Sequence, residues 1–137
     1  MSLKESPEFV KFYLPVLAWM VFIFVLSSVP GSALQPIEFP DAHVIAHSLL
    51  YAVLYYLGYR ALSHQEYSNF VSKYSPILAF VFVALYGASD EYHQSFTPGR
   101  SEELKDWLFD VSSALVIMLA VVIADRIRDS RRRLGSN

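Results

Sequence analysis

Four apolar stretches, each close to the length that crosses a lipid bilayer, dominate this 137-residue sequence and leave it few ways to fold. A hydrocarbon core about 30 Å thick calls for about 20 mostly apolar residues per spanning helix. The stretches cover residues 9–26 (FVKFYLPVLAWMVFIFVL), about 44–62, about 76–93 and about 106–127. Lys11 lies near enough to the start of the first to snorkel, and Pro15 is tolerated inside a membrane helix. The connectors SSVPGSALQPIEFPD, SHQEYSNFVSKYS and the segment around TPGRSEELK are too short to hold a second domain. The expected fold is all-α, a four-transmembrane-helix bundle in one integral membrane domain over residues 1–137.

Composition narrows the alternatives. The chain is 54% hydrophobic and only 18% charged, whereas soluble domains carry roughly 25% charged residues. A soluble helical bundle would need polar faces that the first and fourth stretches lack. The absence of cysteine excludes a disulfide framework, a thiolate metal site and a cysteine nucleophile. Glu5 and Glu8 spoil the positive leader of a secretory signal, so the first stretch is expected to be a retained span.

Orientation follows from the lysines and arginines. With both termini cytoplasmic, Lys4, Lys11, Arg60, Lys73, Arg126, Arg128, Arg131, Arg132 and Arg133 lie inside, and only Arg100 and Lys105 outside. The positive-inside rule therefore places the N- and C-termini in the cytoplasm, as a multi-pass protein of the cell (inner) membrane. The basic tail 126–137 then reads as an inner-surface anchor on anionic lipid, not as a nucleic-acid site.

Ionisable groups within a span are costly, and their positions mark function by default. At about 1.5 Å per residue, His47, the pair Asp90 and Glu91, and Asp110 each lie roughly 21 to 23 Å from the inner end of their own helix. One turn further out come His43, then His93 and Gln94, then Asp106, with Arg100 in the loop above. Spacing puts His43, His47, Tyr51 and Leu54 on one helical face, Tyr86, Asp90, His93 and Gln94 on a second, and Asp106, Asp110 and Ser113 on a third. These faces are expected to meet around a small polar cavity open to the outer surface. Each charge also has a plain packing reading, as an ion pair holding the loop with Arg100 or Lys105. Pro98-Gly99 reads as a turn.

The chemistry on offer is general acid–base work by Asp90, Glu91, His47, His93 and Asp106. Arg100, with Gln94, Tyr51 and Asp110, would bind an anionic substrate. The same groups suit an oxygen and nitrogen cage for a divalent metal. His43-x-x-x-His47 has zinc-pair spacing but lacks the internal glutamate of the metalloprotease pattern, so no metal ligand is assigned and no cofactor is named. Without a Gly-rich phosphate loop, a nucleophile elbow or a dinucleotide fingerprint, a nucleotide-driven mechanism finds no support.

The run Tyr86-Gly87-Ala88-Ser89-Asp90-Glu91-Tyr92-His93-Gln94-Ser95-Phe96-Thr97-Pro98-Gly99-Arg100, followed by Asp106, resembles the signature of the VanZ-like membrane proteins. His47-Ser-Leu-Leu-Tyr51, with Gly58 and Arg60 beyond it, is similar to that family's His-x-x-x-Tyr helix, and the resemblance covers about residues 39–120. Two places depart from the pattern: Asp41-Ala42-His43 stands where an Asp-Lys pair is usual, and Val111-Ser112-Ser113-Ala114 replaces a glycine-containing turn. The resemblance implies a cell-envelope role related to resistance to the glycopeptide antibiotic teicoplanin. Binding of an anionic lipid or lipid-linked envelope precursor is the first expectation. A membrane-embedded hydrolase or transferase, acid–base or metal-assisted, is the alternative. Transport fits less well, since no broken helix pair is evident and the charges gather at one end.

Overall fold

The computed structural model describes residues 8–33, 42–100 and 104–135, and among them every regular element is helical. A π-helical turn, Phe9–Tyr13, leads into α1, Leu14–Ser27. A 3₁₀ turn at Gly31–Ala33 follows, then α2 (Ala42–His64), the short α3 (Asn69–Lys73), α4 (Ser75–Gln94) and α5 (Leu104–Leu134).

Prolines set two of the starts. Pro76 occupies the first turn of α4, where its missing N–H leaves no bond unmade. Pro15 does the same for α1, and the turn before it is wound wider, with the Leu14 N–H donating to the Phe9 carbonyl five residues back. Ser68 caps α3 by accepting from the Val71 N–H at 3.4 Å.

α2, α4 and α5 pack closely on one another, and α1 lies against α2 and, more lightly, α4. Small buried residues, Ala61, Ala79, Gly87 and Ala114, let the backbones approach, and Tyr51, Leu54, Tyr55 and Val83 fill the space between them. The exterior is apolar: Val21, Leu49, Leu85 and Val116, one from each long helix, are each more than 60% exposed. Such a surface is inverted relative to that of a water-soluble domain.

The four expected stretches coincide with four long helices, but two of them, not four, contain a run long and apolar enough to cross a membrane: Phe9–Ser27 and Leu104–Leu134. α2 and α4 have the length. Their histidines, tyrosines and acids, among them His47, Tyr51, Tyr55, Asp90 and Glu91 buried against the other helices, lower their apolar content below a lipid-spanning average. α5 also runs further than expected, continuing as helix through the arginines to Leu134.

Candidate functional site

The site grows from the C-terminal end of α1. Ser27, the last residue of that helix, donates its hydroxyl to Asp90 Oδ2 at 2.8 Å. The same oxygen accepts from Gln94 Nε2 at 3.0 Å, one turn along α4, and from the Tyr51 hydroxyl of α2 at 3.1 Å. One carboxylate oxygen thus joins three helices. Asp90 is 4% exposed and Gln94 2%, so these bonds form away from solvent and carry more weight than surface ones.

The loop after α4 locks onto the loop after α1. Pro98 and Gly99 form the expected turn: the Arg100 N–H donates to the Thr97 carbonyl at 3.1 Å, and Gly99 takes the left-handed conformation, φ 74°. The Gly31 N–H donates to the Pro98 carbonyl at 3.1 Å, and the Thr97 hydroxyl to the Ser27 carbonyl at 3.3 Å. Arg100 spreads its guanidinium across Val29 O (3.3 Å), Leu26 O (3.2 Å) and Gln94 Oε1 (3.4 Å). It therefore caps the carbonyl end of α1, where the helix dipole favours a cation. Of the polar roles expected here, Arg100 and Gln94 hold the scaffold of the site, with Tyr51 and Asp90.

Behind that scaffold lies a second group. His47 of α2 stacks beside Tyr51, ring centroids 6.3 Å apart, and its Nδ1 lies 3.5 Å from Asp110 Oδ1 of α5. Glu91, next to Asp90 but turned about 100° around α4, completes the group. One ligand-capable atom from each of His47, Glu91 and Asp110 falls within 4.8 Å of the others. Asp110 is 1% exposed, and neither of its carboxylate oxygens accepts a hydrogen bond.

His47, Asp90, Glu91 and Asp110, expected at equal heights, thus come together at one place, packed among one another and largely buried. His93 is not among them. It faces α1, with Nε2 3.0 Å from the Ser28 hydroxyl and its ring stacked 4.4 Å from Phe24. Asp106 is half-buried one turn before Asp110 and outside the close group of three. Asp41 and the side chain of His43 lie outside the described residues. A cleft of about 250 Å³, lined by Glu8, Phe12, His64 and Tyr67 among others, sits at the opposite end of the bundle.

A model of the family described as VanZ/LLP1 matches residues 12–125. The chain belongs to the VanZ/LLP1 family. No curated protein and no solved structure matches it. The match takes in α1 as well as the helices that carry the family-like motifs, and α1 is where Ser27 is found. Ser27, Thr97 and Trp107 join the site from outside the residues that the sequence pattern points to. Trp107 donates from Nε1 to the Ala84 carbonyl at 3.0 Å, and its ring and that of Tyr51 close on Gly87, where an added Cβ would stand 3.3 Å from each. For Ser27 the signal was its place at the outer end of the first apolar run; for Trp107 it was the residue after Asp106 at the start of the fourth.

The capping role of Arg100 makes a distinct prediction. Arg100→Ala is expected to lower stability by about 2 kcal/mol, since bonds from a charged donor are worth about 1.5–3 kcal/mol and this one is partly exposed. Arg100→Lys restores the charge but not the fork, and should recover less than half of the loss. Unfolding followed by the fluorescence of Trp19 and Trp107 checks both. Equal stability of the lysine variant and the wild type would show that charge alone suffices.

Proposed function

We propose that this VanZ/LLP1 protein is a multi-pass protein of the cell membrane, with four spans and both termini in the cytoplasm. Its polar site faces outward and binds an anionic or lipid-linked envelope component, contributing to glycopeptide resistance of the teicoplanin type. The observation that carries the reading is the convergence of His47, Glu91 and Asp110, from three different helices, at one end of a bundle whose exterior is apolar. A buried polar group of that kind is costly to keep and marks a functional position. The arginines at the far end of α5 supply the inner-surface charge that this orientation requires.

The test uses substitutions that keep shape. Glu91→Gln and Asp110→Asn, expressed in a glycopeptide-sensitive bacterium, are expected to insert and accumulate like the wild type while resistance falls to the level of an empty vector. Wild-type resistance in both variants would refute the reading.

The enzyme alternative has its own support in the His47–Asp110 pair. A carboxylate 3.5 Å from one imidazole nitrogen is placed to orient the ring and leave the other nitrogen for proton transfer. Product formed at many times the protein concentration would favour catalysis, and stoichiometric protection would favour binding.

A further inference from the structure

We propose that His47, Glu91 and Asp110 bind one divalent transition-metal ion, with zinc the best match to their ligand chemistry. Distance comes first. Ligands held about 2.0–2.2 Å from a tetrahedral zinc stand about 3.4 Å apart, and His47 Nδ1 and Asp110 Oδ1 are 3.5 Å apart. All three ligand atoms lie within 4.8 Å of one another, so closing the set asks for about an ångström of movement, which the rotamers of Glu91 supply.

Charge is the second argument, and it rests on Asp110. Its carboxylate is 1% exposed and accepts no hydrogen bond, with His47 as its one ion-pair partner among the described residues. Asp90, by contrast, has three donors on one oxygen. Arg100, at the same end of the bundle, directs its bonds at Leu26, Val29 and Gln94, none of them at Asp110. A buried carboxylate that accepts no hydrogen bond calls for a cation, and a divalent ion shared with His47 and Glu91 supplies it.

The donor set chooses among ions. An imidazole nitrogen argues against magnesium and calcium, which take oxygen ligands, and for zinc, copper, iron or nickel. Three protein ligands leave a fourth position open, as in zinc sites that receive a water or an outside ligand. The stack of Tyr51 on His47, with the Tyr51 hydroxyl held by Asp90, fixes the imidazole in place for a metal. The ion would then supply the positive pole that an anionic headgroup requires. This last step rests on the function proposed above; the metal site itself does not.

The experiment is equilibrium dialysis of the full chain, stripped with chelator in detergent, against zinc alone, with bound metal counted by mass spectrometry. One zinc per chain is expected. His47→Gln, Glu91→Gln and Asp110→Asn should each weaken binding roughly 100-fold or more, while His64→Gln, at the opposite end, retains it. Cobalt(II) titrated into the wild type should give the intense visible bands of a tetrahedral site, a readout that needs no variant to fold. Zinc well below one per chain at saturation, wild-type affinity in all three variants, or only the weak bands of six-coordinate cobalt would overturn the proposal. Dialysis contains no envelope component, so the two readings fail separately. A chain that binds zinc but confers no resistance sinks the function, and one that confers resistance without zinc sinks the metal site.

Discussion

Asp90→Ala lowers the stability of the bundle by about 2–5 kcal/mol, taking its three bonds, two between helices and one within α4, at the values measured between helices within membranes, about 0.6 kcal/mol on average and up to about 1.7. The upper part of that range is the better expectation. Ser27, Tyr51 and Gln94 would all keep their donors at a buried place with nothing to receive them, and an unsatisfied buried donor costs more than a lost bond. Asp90→Asn tests the geometry more finely. With its amide oxygen at the place of Oδ2 it still meets all three donors, but a neutral amide accepts roughly half as strongly as a carboxylate, so about half of the loss is expected. Unfolding in a denaturing detergent, followed by tryptophan fluorescence, gives the comparison. A wild-type transition in the alanine variant would show that the three bonds hold nothing together.

A second large effect is expected at Gly31. A Cβ added there would stand 2.0 Å from the carbonyl oxygen of Gly99 and 2.7 Å from its carbonyl carbon, both parts of the main chain and unable to swing aside. Gly31→Ala must therefore part the two loops and break the Gly31–Pro98 hydrogen bond, for a total of about 2–4 kcal/mol. Gly99→Ala asks only for a left-handed backbone at an alanine, about 1–2 kcal/mol. The order of the two midpoints, with Gly31→Ala the lower, distinguishes loop contact from turn strain. The reverse order would mean that the loops separate without cost.

Much of this architecture can be read from the order of residues. Apolar runs bounded by prolines and polar connectors located four long helices to within about two residues at most ends, because burial and the missing N–H of proline act locally. The common height of His47, Asp90 and Asp110 followed from the rise of the helix alone. What remained hidden was choice of neighbour. Asp90 and Glu91 are adjacent, yet one binds the scaffold and the other joins His47 and Asp110, a division set by how α4 is rotated against α1, α2 and α5. Arg100 reads in the sequence as a clamp for an anion, and the sequence does not show that the approach of the two loops also sets it on the carbonyls of α1. A metal cage was legible as one option for the cluster, but its three members were not, for a similar reason. Spacing along one helix tests His43 against His47, whereas the three side chains that gather come from α2, α4 and α5.

The length of α5 has a consequence for where the site sits. At 31 residues it is about 46 Å long, some 16 Å more than the hydrocarbon of a bilayer. The Tyr59 hydroxyl holds Asp125 at 2.6 Å, and from Arg126 onward every described residue is exposed. Asp110 and the arginine collar therefore ride on one continuous rod, about 24 Å from Asp110 to Arg126. In the proposed orientation the helix works as a depth gauge: where the collar meets the headgroups of one leaflet fixes how far below the other the His47–Glu91–Asp110 group lies.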